Sequence, residues 1–159
     1  MLGFQTYPKS MSNKTKGNLL VIAQFALIAA ILLMAIDEVN EPWIYIGGVL
    51  FIAPGLVILY LGIKQLGGSL TAHPAPKAKA QLVESGIYKF VRHPIYTGLL
   101  LATFGSVVQS MAVVKLFVWL ILVLLINYKA RWEEKLLSVT YANYTDYMTR
   151  TGRFVPRLK

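Results

Sequence analysis

At 159 residues the chain suits one domain, and its 56% hydrophobic content and mean hydropathy of +0.56 lie above the range of soluble domains. A formal charge of +9 set among long apolar runs points to a basic surface along anionic lipid and not to nucleic acid. The absence of cysteine excludes disulfides and thiolate chemistry, and two histidines with no HExxH-like spacing argue against a protein metal site.

Four segments read as membrane spans. Gly17 to Ile36 is apolar apart from Asn18 and Gln24, and at about 1.5 Å per residue it reaches roughly 30 Å. Lysines precede it, as in a signal peptide, but the run exceeds an h-region of about 7–15 residues and no clear A-x-A site follows. It is expected to remain as a span. Trp43 to Leu66 is the second, with Gly47, Gly48, Pro54 and Gly55 inside it. Small residues permit close helix approach, and a proline is tolerated where neighbours satisfy the freed carbonyl. Pro94 to Gln109 and Met111 to Tyr128 follow as a tight hairpin, the third span being short for a full crossing.

Fifteen of the sixteen Lys and Arg lie in the N-terminal arm, between Lys64 and Arg92, or after Tyr128; the connection DEVNEP carries none. The positive-inside rule makes those three regions cytoplasmic. The long connection GGSLTAHPAPKAKAQLVES contains Pro74 and Pro76, which favour a short extended piece over a helix. After Tyr128 the sequence KARWEEKLLSVTYANYTDYMTR keeps helical spacing, so a helix is expected to leave the membrane and lie along its surface. The expected fold is all-α and integral to the membrane, with four transmembrane helices and a cytoplasmic interfacial helix. Its parts are an arm and two spans (1–66), a cytoplasmic loop (67–93), a helical hairpin (94–128) and a C-terminal segment (129–159).

Concentrated polarity falls on one membrane face. The stretch VRHPIYTG puts Arg92 and His93 at the mouth of the third span, and Glu133 and Glu134 stand at the end of the fourth. Taken singly, these residues are a snorkelling arginine, a solvated histidine and ordinary helix pairs, Lys129 with Glu133 and Arg131 with Glu134. Taken together they offer an ammonium-binding carboxylate, cationic donors, tyrosine rings and the free N–H groups of a helix start. That set suits a zwitterionic aromatic ligand of nucleotide size. Gln24 and Lys115, the polar residues inside spans, belong to no polar cluster in the sequence.

The sequence LVESGIYKFVRHPIYTGLLL, followed by EEKLL and then by Tyr144 and RFVPRL, resembles the isoprenylcysteine carboxyl methyltransferase family, in particular its bacterial and archaeal members, which are related to phospholipid N-methyltransferases. The likeness runs from about Leu66 to Leu158 and rests on G-x-Y-x-x-x-R-H-P-x-Y with a downstream Glu-Glu. The resemblance implies an integral membrane methyltransferase that uses S-adenosylmethionine without a Rossmann domain, in a cytosolic pocket capped by the C-terminal segment. It carries cofactor contacts onto Ala80, Gln81, Leu82, Val83, Tyr88, His93, Pro94, Ile95, Tyr96 and Glu133, the last taking the methionine ammonium. In the family a polar residue earlier in the loop also contacts the cofactor, and the resemblance carries that contact onto His73, where relatives have an amide. Lys129 stands where the family often has an arginine facing the methyl acceptor, so Lys129 and Arg153 are expected on the acceptor side. Arg92 and Glu134 are the expected catalytic residues.

A carboxylate acceptor is already nucleophilic, whereas an amine or thiol must lose a proton, for which His93 or Glu134 would serve. The implied acceptor is lipophilic or lipid-linked, met by the soluble donor at the helix mouth of a cell inner membrane. Two other readings stand beside this one. A nicotinamide-dependent membrane reductase would share a similar C-terminal half, but nothing here looks like a 2′-phosphate clamp. A four-helix transport or assembly protein would need polar groups near mid-membrane.

Overall fold

Glycine spacing decides how the helices meet. A computed structural model describes residues 11–34, 41–74 and 81–157. Its helices are α1 (Met11–Leu33), α2 (Pro42–Leu66), α3 (Pro94–Ser110), α4 (Val113–Thr140) and α5 (Tyr144–Arg150). On α2, Gly48, Gly55 and Gly62 are buried at intervals of seven, and Gly98 and Gly105 repeat that interval on α3. Seven residues are close to two helical turns, so each set forms one stripe. A Cβ on Gly55 would lie 2.6 Å from the Ala102 nitrogen, and one on Gly98 would lie 2.9 Å from the Leu59 Cα. The two backbones therefore touch, which in lipid substitutes for the missing hydrophobic drive between helices.

On the other side of the bundle α1 packs along α4 and, less extensively, along α3. Ile31, Val107, Leu122 and Ile126 form the buried cluster there. Across the layer the order is α2, α3, α4, α1, and the two outer helices make at most a marginal contact with each other. The outward surface is apolar: Leu50, Leu124 and Leu33 are 68%, 69% and 81% exposed. Such a surface requires lipid.

Helices occupy all four of the stretches expected to span, and three of them qualify by length and apolarity. Helices α1, α2 and α4 are long and apolar enough to cross a membrane, while α3, at 17 residues, reaches about 25 Å. Ile36 lies outside the described residues, as does Pro76. Met111, in the left-handed region at φ 47°, closes α3 by donating its N–H to the Val107 carbonyl, and α4 starts at Val113. One expectation is refined. The helical stretch expected after Tyr128 is in two pieces: α4 continues unbroken to Thr140, about 42 Å in all and longer than a hydrocarbon core of about 30 Å. Tyr141 is then extended, and α5 is a separate short helix. Thr140, Tyr141 and Asn143 are all weak helix formers, which accounts for the break.

After α5 the chain returns to the start of α3. The Arg92 N–H donates to the Gly152 carbonyl at 2.9 Å and the His93 N–H to the Arg153 carbonyl at 3.1 Å. Val91 and Gly152 form a parallel bridge, the sole β-pairing among the described residues. The Thr97 hydroxyl donates to the Phe154 carbonyl at 2.8 Å. The first turn of α3 is thus tied to residues 151–154, at the same end of the bundle as α5.

Candidate functional site

That end of the bundle contains a cavity of about 360 Å³ to which every α-helix contributes a side chain. A volume of this size is typical of a small-molecule site. Pro94 at the first helical position starts α3, its missing N–H costing nothing there. This places Arg92 and His93 just before the helix and Ile95 and Tyr96 in its first turn, on the cavity wall.

The two adjacent glutamates face different surroundings. Residues one apart on a helix point about 100° apart. Glu133 lines the cavity. Its Oε2 accepts a 2.9 Å hydrogen bond from the Tyr96 hydroxyl, and its side chain is 25% exposed. Glu134 points away, with a side chain 7% exposed. Its Oε1 accepts from Arg92 Nε at 2.9 Å, and Arg153 donates through Nε and Nη2, the latter at 2.6 Å. Arg92 Nη1 also donates to the Met148 and Thr151 carbonyls, and Arg153 Nη1 donates to Asn127 Oδ1. Such charge-assisted bonds are about twice as strong as neutral ones. Glu134 consequently joins the helix mouth, α4 and the returning chain in one ionic knot. Its hydrogen bonds raise the Arg153 guanidinium above its ordinary range.

The His93 ring lies between the carboxylates, Nδ1 3.9 Å from Glu133 Oε2 and Nε2 3.4 Å from Glu134 Oε1. The latter contact is out of line for a hydrogen bond, although the two groups are close enough to attract when the ring is protonated. The imidazole stacks on Tyr96, centroids 5.3 Å apart.

Three further phenols close the outer wall. The Tyr88 hydroxyl donates to the Gly62 carbonyl at 3.2 Å and the Tyr147 hydroxyl to the Tyr88 carbonyl at 2.6 Å. Burial, and then the charge of Glu133, pushes the Tyr88 phenol well up; burial does the same for Tyr144 and Tyr147. All three stay neutral. The turn that carries Tyr88 is held by Gln65 Oε1, which accepts from the Ile87 N–H at 2.7 Å across a position where Gly86, at φ 59°, alone leaves room.

Of the residues singled out from sequence, Gln81, Leu82, Val83, Tyr88, Arg92, His93, Ile95, Tyr96, Lys129 and Glu133 all line this cavity. Pro94 is fully buried behind it, and Ala80 lies outside the described residues. His73 sits beside the wall: Ala72 and Pro74 line the cavity, whereas the imidazole occupies the space left by Gly17 of α1. Arg153 and Glu134 are off the cavity, in the ionic knot. Neither helix pair expected from spacing forms an ion pair within 4 Å among the described residues; Lys129 bonds elsewhere and Glu133 bonds Tyr96.

Two contributors escaped the sequence. Gln24 was without a polar cluster there, yet it lines the cavity and accepts a 2.6 Å hydrogen bond from Lys129 Nζ. Its signal was a lone amide in an apolar run. Glu84 tethers the Gln81–Val83 strip to α5 by accepting from Asn143 Nδ2 at 2.6 Å and Arg150 Nη2 at 3.1 Å.

Comparison with known proteins adds two findings. The family model described as phospholipid methyltransferase matches residues 43–144, which include α2 from its second residue, α3, α4 and the cavity wall from Leu59 to Tyr144. The chain is also similar to the cobalt-zinc-cadmium resistance protein CzcN of Cupriavidus metallidurans, at 36% identity over 81 residues. That likeness covers 48% of this chain and 36% of the relative's length.

Proposed function

Since the chain belongs to the phospholipid methyltransferase family, we propose that it moves a methyl group from S-adenosylmethionine to a carboxylate on a lipophilic or lipid-linked acceptor. The observation that carries this reading is Glu133, among the described residues the one carboxylate lining a cavity whose wall is mostly phenols and apolar side chains, with the basic residues Arg92, His93 and Lys129 among them. The residues fit the donor. Tyr96 occupies one Glu133 oxygen and leaves lone pairs for the methionine ammonium. Arg92 and His93 supply donors for its carboxylate, and Leu82, Val83 and the tyrosine rings provide an apolar, aromatic bed for adenine.

Bound there, the donor supplies an electrophilic methyl: an acceptor oxygen forms the C–O bond as the C–S bond breaks and its electron pair passes to sulfur, giving a methyl ester and S-adenosylhomocysteine. No proton has to be removed. The protein's work is alignment and exclusion of water. Glu133 and Tyr96 fix one end of the donor and Lys129 faces the acceptor. Glu134 and Arg153 act at one remove, by holding Arg92 in place. A cytoplasmic position for this end follows from its basic residues, Lys16, Lys64, Lys89, Arg131 and Arg150 among them, against Lys115 alone at the start of α4.

The test is S-adenosylhomocysteine binding to the wild type and to Glu133→Gln. Removing one partner of a buried charged pair costs about 3–5 kcal/mol. The 25% exposure of Glu133 reduces that to about 2–3 kcal/mol, a thirty- to hundredfold rise in Kd at about 1.4 kcal/mol per decade. An unchanged Kd would remove the assignment.

A further inference from the structure

At the seam between α1 and α4 three exposed cations, Lys16, Arg131 and Lys135, have no carboxylate within 4 Å among the described residues. The acids of that end are engaged elsewhere. Glu84 and Asp146 pair with Arg150, Glu133 faces the cavity, and Glu134 sits between Arg92 and Arg153, a knot that itself keeps one surplus positive charge. The cations surround aromatic rings. Lys16 Nζ lies 5.0 Å from the centres of both the Tyr128 and the Trp132 rings, within reach of a cation–π contact. Residues 128, 131, 132 and 135 recur at intervals of three and four, so they share the face of α4 on which Lys16 is laid.

A hydrocarbon core of about 30 Å takes about 20 helical residues. Counted from Val113, α4 leaves the core near Trp132; counted back from Leu33, α1 leaves it near residue 14. Both helices therefore bring the cluster to the headgroup layer, where interfacial rings and cations belong. Lys16 lies outside residues 43–144, so the cluster is not part of the matched fold, and none of its five residues lines the cavity.

We propose that the α1–α4 seam is a binding site for one anionic phospholipid. Lys16, Arg131 and Lys135 hold its phosphate, while Tyr128 and Trp132 bed the glycerol and the upper acyl chain. Arg131 offers the phosphate a planar fork and the lysines add point charge. A choline lipid is disfavoured, because Lys16 already occupies the ring faces its cation would take and the other two cations repel it. Since Lys16 comes from α1 and its partners from α4, the lipid braces the helix that supplies Gln24 and Phe25 to the cavity wall. The site stands apart from the methyl-transfer reading.

Trp132 serves as the reporter. Full-length protein carrying Trp43→Phe is placed in phosphatidylcholine nanodiscs in which about one lipid in ten is chain-brominated, as phosphatidylglycerol or as phosphatidylcholine. Trp132→Phe in the same background gives the share of Trp119. A basic residue near an anionic surface is worth about fivefold in affinity, so three support a preference of at least about tenfold. At one lipid in ten, that preference fills the site about half the time, against about a tenth without it. Brominated phosphatidylglycerol is thus expected to quench Trp132 about five times more than brominated phosphatidylcholine. Lys16→Gln combined with Arg131→Gln should remove the excess. If that pair does not fold, Lys135→Gln alone must lower the ratio to about two. Inorganic phosphate in the buffer is expected to leave the quenching unchanged; relief of it would assign the cluster to a soluble phosphate and overturn the lipid assignment. Equal quenching by the two lipids in the reporter protein, or an unchanged ratio in a folded variant, overturns the proposal outright.

Discussion

Replacing Glu134 by Gln separates two adjacent carboxylates by what each one holds. Glu134 receives bonds from Arg92 Nε and from both Nε and Nη2 of Arg153, and it stands 3.4 Å from the His93 ring. The amide in Gln keeps one acceptor but turns an N–H toward a guanidinium. Breaking a buried ion pair from one side costs about 3–5 kcal/mol. Arg153 is 30% exposed at its side chain, so water relieves part of that, leaving about 3 kcal/mol. For a chain of this length each kcal/mol shifts Tm by about 2–4 °C, so a fall of about 6–12 °C is expected. Tryptophan fluorescence in nanodiscs would follow it, Trp119 being packed in the bundle with its indole N–H on the Leu100 carbonyl at 3.1 Å. Glu133→Gln, losing only the charged end of one Tyr96 bond, should move Tm far less. A Glu134→Gln protein that melts within about 2 °C of wild type would show that the knot does not hold the helix mouth, and the positioning role given to Glu134 would fall with it.

Gly98→Ala puts a methyl against the α2 backbone, 2.9 Å from the Leu59 Cα, where no flexible side chain can yield. The expected loss is about 1–3 kcal/mol, read as a lower melting temperature; an unchanged one would mean the helices separate freely. Sidedness is open to cysteine labelling, because the native chain has no cysteine. Ser85→Cys should resist an impermeant thiol reagent added to intact cells, whereas Met111→Cys, at an exposed turn, should react; the reverse pattern would invert the topology.

Hydropathy alone yields the spans, because length and apolarity are all that a lipid-facing helix requires. The helix mouth was legible too, since Arg92-His93-Pro94 places donors, ring and helix start in consecutive residues. What sequence leaves open is direction. Glu133 and Glu134 are chemically alike, and only the packing of α4 shows that the first faces the cavity and the second the arginines. Arg153 lies in a segment without helical period, so nothing local indicates its bond to Glu134. Gln24 meets Lys129 across 105 positions, through an α1–α4 contact that no periodicity encodes.

The pairing of residues 151–154 with the start of α3 also bears on how the protein is made. Helices α1 to α4 leave the ribosome before Thr151 does, and the hydropathy of α1, α2 and α4 suffices for them to enter the bilayer as they emerge. Arg92 and His93 are therefore synthesised well before the strand that fixes them. During that interval the nascent protein is an inserted bundle whose site has no closing wall, and Glu134 waits on a guanidinium still to be translated. That wall is completed only when residues 151–154, which follow α5, reach the start of α3.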